Sequence, residues 1–364
     1  MEKPHQPATP EGNFTPLQDN RSDQGNPGSP HLPSITDFDG VRWIDYRKTL
    51  TPRYGIIWRD IGACYLLLAT GVTAVALVQR SLGGSAATAV AVPVVLWTGY
   101  WLHALFLFGH EAAHAHLAPR RRANDRLADW LVWLFFGSTT ANYRHTHMTH
   151  HSRLGSHRDT ETTYQLCLSV ANLLKGMSGL RVLEVLLRKA RLAHRTAPRR
   201  KSSKRPSARR HGPGRRPSRA VAGALASLRS VVLHAGILTL LVAGGSLPAA
   251  LAWSLGAGAI FPLCAMTRTI VEHRRLDAPC SVDFTVVEHG PVNRLFGSDP
   301  LSRSFGAAGF NKHLLHHWDP AISYTRFGEM ERFLARTPLA TEIEASRIGY
   351  GAALKRLLWE AWRG

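Results

Sequence analysis

Two long uncharged stretches decide what this chain can fold into. Residues 61–78 (IGACYLLLATGVTAVALV) and 85–109 (SAATAVAVPVVLWTGYWLHALFLFG) are each long enough to cross a bilayer, which takes about 20 mostly apolar residues. A second pair, 230–244 and 246–266, is broken by Gly244, Gly245, Ser246 and Pro248. This pattern predicts an all-α membrane protein with four transmembrane helices at about 58–80, 85–109, 230–244 and 246–268. They read as two hairpins carrying a helical cap. The run 127–138 (LADWLVWLFFGS) is short and Trp-rich, and reads as an interfacial helix. Residues 1–35 are polar and Pro-rich, without a signal core, and read as disordered. The membrane domain is expected over 36–340, and a C-terminal cytoplasmic helix over 341–364.

The net charge of +20 at first suggests a nucleic-acid partner, but its distribution argues otherwise. Residues 188–219 hold 14 Lys and Arg and no acid, leaving +6 for the rest of the chain. This Pro-, Gly- and Ser-rich tract reads as a disordered basic loop, and no nucleic-acid partner is expected. Between spans, so basic a loop belongs in the cytoplasm, which places both termini there too.

The histidines are clustered. Of 19, three lie in HEAAHAH (His110, His114, His116), four in HTHMTHH (His145, His147, His150, His151) and three in HLLHH (His313, His316, His317). Neutral imidazole is the commonest protein metal ligand, and several rings must converge to hold one ion. His110 and His114 are spaced i, i+4; His147, His150, His151 and His313, His316, His317 are each spaced i, i+3, i+4, so each set lines one helical face. Eight such rings exceed what one ion accepts, which implies two metals. His116 and His145 fall off those faces and read as supporting or incidental groups. Glu111, Asp159 and Glu161 flank candidate ligands, where a carboxylate accepting the second ring N–H would fix the tautomer. All three clusters fall on the cytoplasmic ends of the predicted spans.

With HEAAH at 110, HMTHHSRLGSHRDTE at 147–161 and FNKHLLHHWDP at 310–320 spread across four spans, residues 55–335 resemble the integral-membrane fatty acid desaturase and lipid hydroxylase superfamily. These are non-haem di-iron enzymes that also include carotenoid ketolases. The resemblance implies two Fe2+ ions, O2 as co-substrate, and a lipid or acyl chain as substrate. It adds His273, just after the fourth span, as a ninth ligand, Asn311 as a group reaching the metal through water, and His289 as a weaker candidate for that duty. His103, within the second span, is an intramembrane ionisable group and thus a functional candidate near the substrate channel; His234, in the third span, has no evident partner. The residues leave desaturation, hydroxylation and ketolation all open.

Turnover by such an enzyme needs electrons, and Cys64, Cys167, Cys264 and Cys280 have no CxxC spacing for a fused iron–sulfur module. An external ferredoxin or cytochrome is therefore expected, docking on the basic face unless that face binds anionic lipid. HEAAH also satisfies the HExxH pattern of an intramembrane zinc protease with Glu111 as general base, but that reading leaves the other two clusters without a role.

Overall fold

The structure, a computed structural model, describes residues 28–177, 180 and 219–363; the basic tract 188–219 lies outside them apart from Arg219. The helices that position the site are, in chain order, α1 (Tyr54–Leu82), α2 (Gly84–Ala113), α3 (Arg121–Leu131), α4 (Trp133–Phe136), α5 (Thr140–Arg153), α6 (Arg219–Ala243), α7 (Leu247–His273), α8 (His313–Trp318) and α9 (Tyr350–Arg363). Among the described residues there is no strand.

Four of these, α1, α2, α6 and α7, are long and apolar enough to cross a membrane. Only 6% of the apolar window of α6 is buried against 50% for α2, so α2 is the central helix and α6 presents its apolar side chains outward. The helices overrun the predicted spans: α2 continues to Ala113 and α7 to His273. Polar residues can prolong them because His110, Glu111, Arg268, Glu272 and His273 are enclosed by protein instead of lipid.

Helices α2 and α7 approach to backbone distance. A Cβ on Gly99 would lie 2.4 Å from Ile260 Cβ, and one on Gly256 would lie 2.6 Å from Thr98 Cβ. Small residues at such a crossing let helices pack without side chains between them. The contact coincides with a wide, π-helical turn at Gly256–Ile260, where Phe261 N–H bonds to Gly256 O. Pro262 supplies no N–H to its preceding turn, and Gly256 and Gly258 hold the helix weakly, so the ladder loosens here.

The remaining elements cap one end of the bundle. Trp133 packs over Gly109 and against Phe106, almost fully buried; the run expected to be interfacial forms the end of α3 and α4, with Leu127 and Trp130 exposed. Residues 28–35, expected within the disordered N-terminal segment, pack on the last histidine cluster. Leu32 and Trp43 share a core with Leu315 and Phe333, Ser29 Oγ donates to His317 O, and Trp43 Nε1 donates to Asp319. The C-terminal segment expected as a single helix from 341 is two, Ala340–Ala345 and α9, with Tyr350 stacked on Phe296 at 3.7 Å.

Replacing Gly99 with Leu should separate α2 from α7 and cost roughly 1–3 kcal/mol, as overpacking does elsewhere. Thermal unfolding in detergent should show a lowered midpoint for Gly99→Leu and none for Gly236→Leu, whose Cβ meets nothing within 4 Å.

Candidate metal centre

Nine histidines assemble into two groups at the capped end of the bundle. His110, His114, His147, His151 and His316 form one, and His150, His273, His313 and His317 the other; within each group, ligand-capable atoms all lie within 4.8 Å of one another. Eight of the nine residues are buried. The three clusters read from sequence, and His273 with them, are thus brought together.

Helix geometry explains the division. On α5, His147 and His151 are one turn apart and point into the first group, whereas His150 is turned into the second. On α8 the assignment is reversed: His313 and His317 enter the second group and His316 the first. Each HxxHH motif therefore serves both groups through its adjacent pair of rings. The single helical face expected for each motif is shared between two sites.

The ring contacts fit cations better than hydrogen bonds. Nε2 of His147 lies 2.9 Å from those of both His114 and His151, and His151 Nε2 is also 2.9 Å from His316 Nε2. In the second group, His313 Nε2 lies 3.0 Å from that of His273 and 3.1 Å from that of His317. A ring nitrogen has one proton or one lone pair, so an atom facing two others can make only one full hydrogen bond. At least two of these five contacts are left without one. Donors held at about 2.1 Å from a common ion and near right angles are about 3 Å apart, the spacing seen here. His150 Nε2 and both His110 nitrogens likewise have no hydrogen-bond partner among the described residues.

Three of the opposite ring nitrogens are anchored. His150 Nδ1 sits 2.9 Å from Asp159 Oδ1, and Asp159 is buried and also accepts from Tyr164 Oη and the Glu161 amide. His147 Nδ1 lies 3.3 Å from Glu161 Oε1, and His273 Nδ1 lies 2.9 Å from Val292 O. An acceptor at Nδ1 fixes the proton there and frees Nε2 to bind metal. Burial, then repulsion from neighbouring rings, pushes His114, His151, His313, His316 and His317 well below the ordinary imidazole range. They are neutral at physiological pH, the form that ligates. Burial alone would raise the Glu161 carboxyl, but His150 and the hydrogen-bonded His147 outweigh it and hold it well below the usual range.

Two arginines that sequence reasoning missed brace this end. Arg294 donates to Val271 O and Arg274 O, closing the C-terminal carbonyls of α7 beside His273, and its own carbonyl accepts from Leu314 N in α8. Buried Arg274 donates to the carbonyls of Tyr164, Leu166 and Val282, tying the segment after α5 to the end of α7. Neither lies in one of the three histidine clusters; the only sequence signal was that Arg274 directly follows His273.

The other candidates separate. Glu111 Oε2 lies 3.2 Å from His116 Nδ1, while Ser323 Oγ and Tyr324 N donate to it at 3.4 Å, so this acid ties α2 to the 321–324 turn. His116 Nε2 lies 3.2 Å from Ala321 O. His145 is exposed on the outer side of α5. His289 belongs to neither group: its Nδ1 donates to Gly290 O and its Nε2 accepts from Arg275 N, and burial pushes it down to about 4. Asn311 Nδ2 donates to Gly297 O at 3.1 Å. His234 does have partners, Phe135 O and Trp253 Nε1. His103 is fully buried, its ring 5.1 Å from Phe305 and both nitrogens without a hydrogen bond among the described residues.

A family profile described as fatty acid desaturase matches residues 86–344, well over half of the chain. No curated protein matches. The matched region contains every histidine of both groups. With four membrane-length helices and a paired histidine-box site that suits two metal ions, the chain belongs to the fatty acid desaturase family.

Proposed function

We propose that this protein is a membrane-bound, di-iron, oxygen-dependent oxidoreductase that introduces a double bond into a fatty acyl or other long apolar chain. The observation that carries the reading is the pair of histidine groups at one end of a lipid-facing bundle, in a chain of this family. His110, His114, His147, His151 and His316 would hold one ion, and His150, His273, His313 and His317 the other. When bound, two ferrous ions supply the reduction of O2 that lets hydrogen be removed from an unactivated C–H bond. Iron comes from the family, since a nitrogen shell by itself suits several metals.

The chain's own residues supply position, tautomer and enclosure. Asp159, Glu161 and Val292 O orient three of the rings from behind, while Phe310, 4.5 Å from the His110 ring and 4.9 Å from that of His313, keeps an apolar wall against both groups. A cavity of about 560 Å³ lies between α1, α2 and the 298–328 segment. Cys64, Leu67, Trp101 and Phe108 give it an apolar lining, and Arg59, Arg303 and Lys312 border it too. Phe108 lies two residues before His110, and Phe327, also lining the cavity, is 6.3 Å from the His316 ring. An acyl chain with an anionic head suits such a space.

Sidedness follows the basic tract: both termini and the metal centre face the cytoplasm, where an acidic ferredoxin or cytochrome delivers electrons. A groove of Arg121, Arg144, His145 and Arg219 along α5 offers such a donor a basic surface behind the first group.

Removing a carboxylate behind a ligand should loosen metal without breaking the fold. Asp159→Asn and Glu161→Gln should each weaken binding by roughly 10–100-fold in chelator competition; unchanged affinity for both would count against these roles. Lipid profiling of a host expressing the chain, beside a His316→Ala control, should show a new unsaturated species that the control lacks. A hydroxylated product would replace desaturation by hydroxylation, and release of peptides with both proteins inactive on lipid would refute the reading.

A further inference from the structure

One buried acid near the metal centre has no role in the account above. Glu272, the last residue before His273, is completely buried in the final turn of α7. Its neighbour one turn back, Arg268, is almost as buried and forms a close ion pair with Glu272 Oε2. Taking two charges out of water costs several kcal/mol per ion, so a purely structural pair should be well satisfied by its own partners. This one is not, because Glu272 Oε1 and Arg268 Nε have no hydrogen bonds among the described residues. The guanidinium lies instead over the Phe310 ring, at 4.3 Å from its centre, on the wall of the histidine groups.

The second observation is where the carboxylate points. Glu272 Oε2 lies 3.7 Å from His313 Nε2, the atom that itself faces the Nε2 atoms of His273 and His317. The other acids meet their rings on the opposite nitrogen: Asp159 reaches Nδ1 of His150, Glu161 Nδ1 of His147, and Glu111 Nδ1 of His116 and, at 3.9 Å, of His110. They approach the rings from behind, whereas Glu272 approaches from the side on which metal would sit. Two donors on one ion, each about 2.1 Å from it, are roughly 3.0–4.2 Å apart for angles from 90° to 180°. The Glu272–His313 separation falls inside that range, while the carboxylate stands outside the set of atoms within 4.8 Å of one another, so it has to swing inward to reach the ion. The group it adjoins is also the poorer one, with four histidines against five.

We propose that Glu272 is the fifth ligand of the four-histidine group, a carboxylate held at its edge by Arg268; this rests on the two-metal reading given under Proposed function. One ion is then bound by imidazoles alone and the other by imidazoles and a carboxylate. The negative charge partly offsets that of the second ion, and the ion pair with Arg268 holds the carboxylate in place.

The experiment is a metal count on the full-length protein in detergent. It is loaded anaerobically with Fe(II), passed through gel filtration and titrated against a chelator. Wild type should retain two ions. The double variant Arg268→Gln/Glu272→Gln removes both charges together, so no buried charge is left unpaired. It should retain one ion at wild-type affinity and release the other at roughly 100-fold lower chelator concentration, the upper end of what an indirect support costs. Two ions held as tightly as in wild type would overturn the proposal. So would a second ion lost in Glu272→Gln but recovered in the double variant, because that outcome assigns Glu272 only to Arg268. Glu272→Asp keeps the charge and shortens its reach, and covers the case in which the double variant does not fold. It should weaken the second ion alone, and unchanged affinity would again overturn the proposal. Wild type binding a single ion would instead bring down the two-metal reading, and this proposal with it.

Discussion

Ring nitrogens that face one another across 3 Å, with too few protons to join them all, are an unstable arrangement for a closed protein interior. Nine imidazoles from four separate segments are nevertheless turned inward here. Much of the architecture at this end of the molecule keeps them so. Asp159, Glu161 and a backbone carbonyl take the proton on the far side of three rings, and Arg274 and Arg294 knot the end of α7 to the chain before and after it. The cost of that enclosure is recovered once positive charge occupies the two points of convergence.

The two points are not independent. Because His150 and His151 are adjacent on α5, and His316 and His317 adjacent on α8, any shift of either helix moves ligands of both groups together. Two rigid helices thus set the spacing between the groups, and α2 and α7 close the arrangement from below, the first feeding one group and the second the other.

Much of this was legible in the sequence, for identifiable reasons. Uncharged length announces a membrane helix, and i, i+3, i+4 spacing announces rings on one face, because both depend only on local geometry. The resemblance supplied His273, which spacing could not, since it stands alone in its segment. The split of each HxxHH motif between two groups depends on how α5 faces α8, a long-range fact no single motif encodes. The same holds for Arg274 and Arg294, whose partners are backbone carbonyls distant in sequence, and for Leu32, whose apolar side chain sits in a polar neighbourhood yet packs against the last cluster. His289 was a plausible ligand by residue type, but both its nitrogens are occupied within its own loop.

The wide turn at Gly256–Ile260 has a consequence for how α7 is aimed. Spending one additional residue on a turn advances everything downstream by about 100° around the helix axis relative to an unbroken helix. Arg268, Glu272 and His273 all follow that insertion. The direction in which this end of the fourth span looks is thus decided more than ten residues earlier, at the level where it touches Gly99, deep between the helices. A chain one residue shorter there would keep every histidine of its motifs and point His273 at the wrong wall.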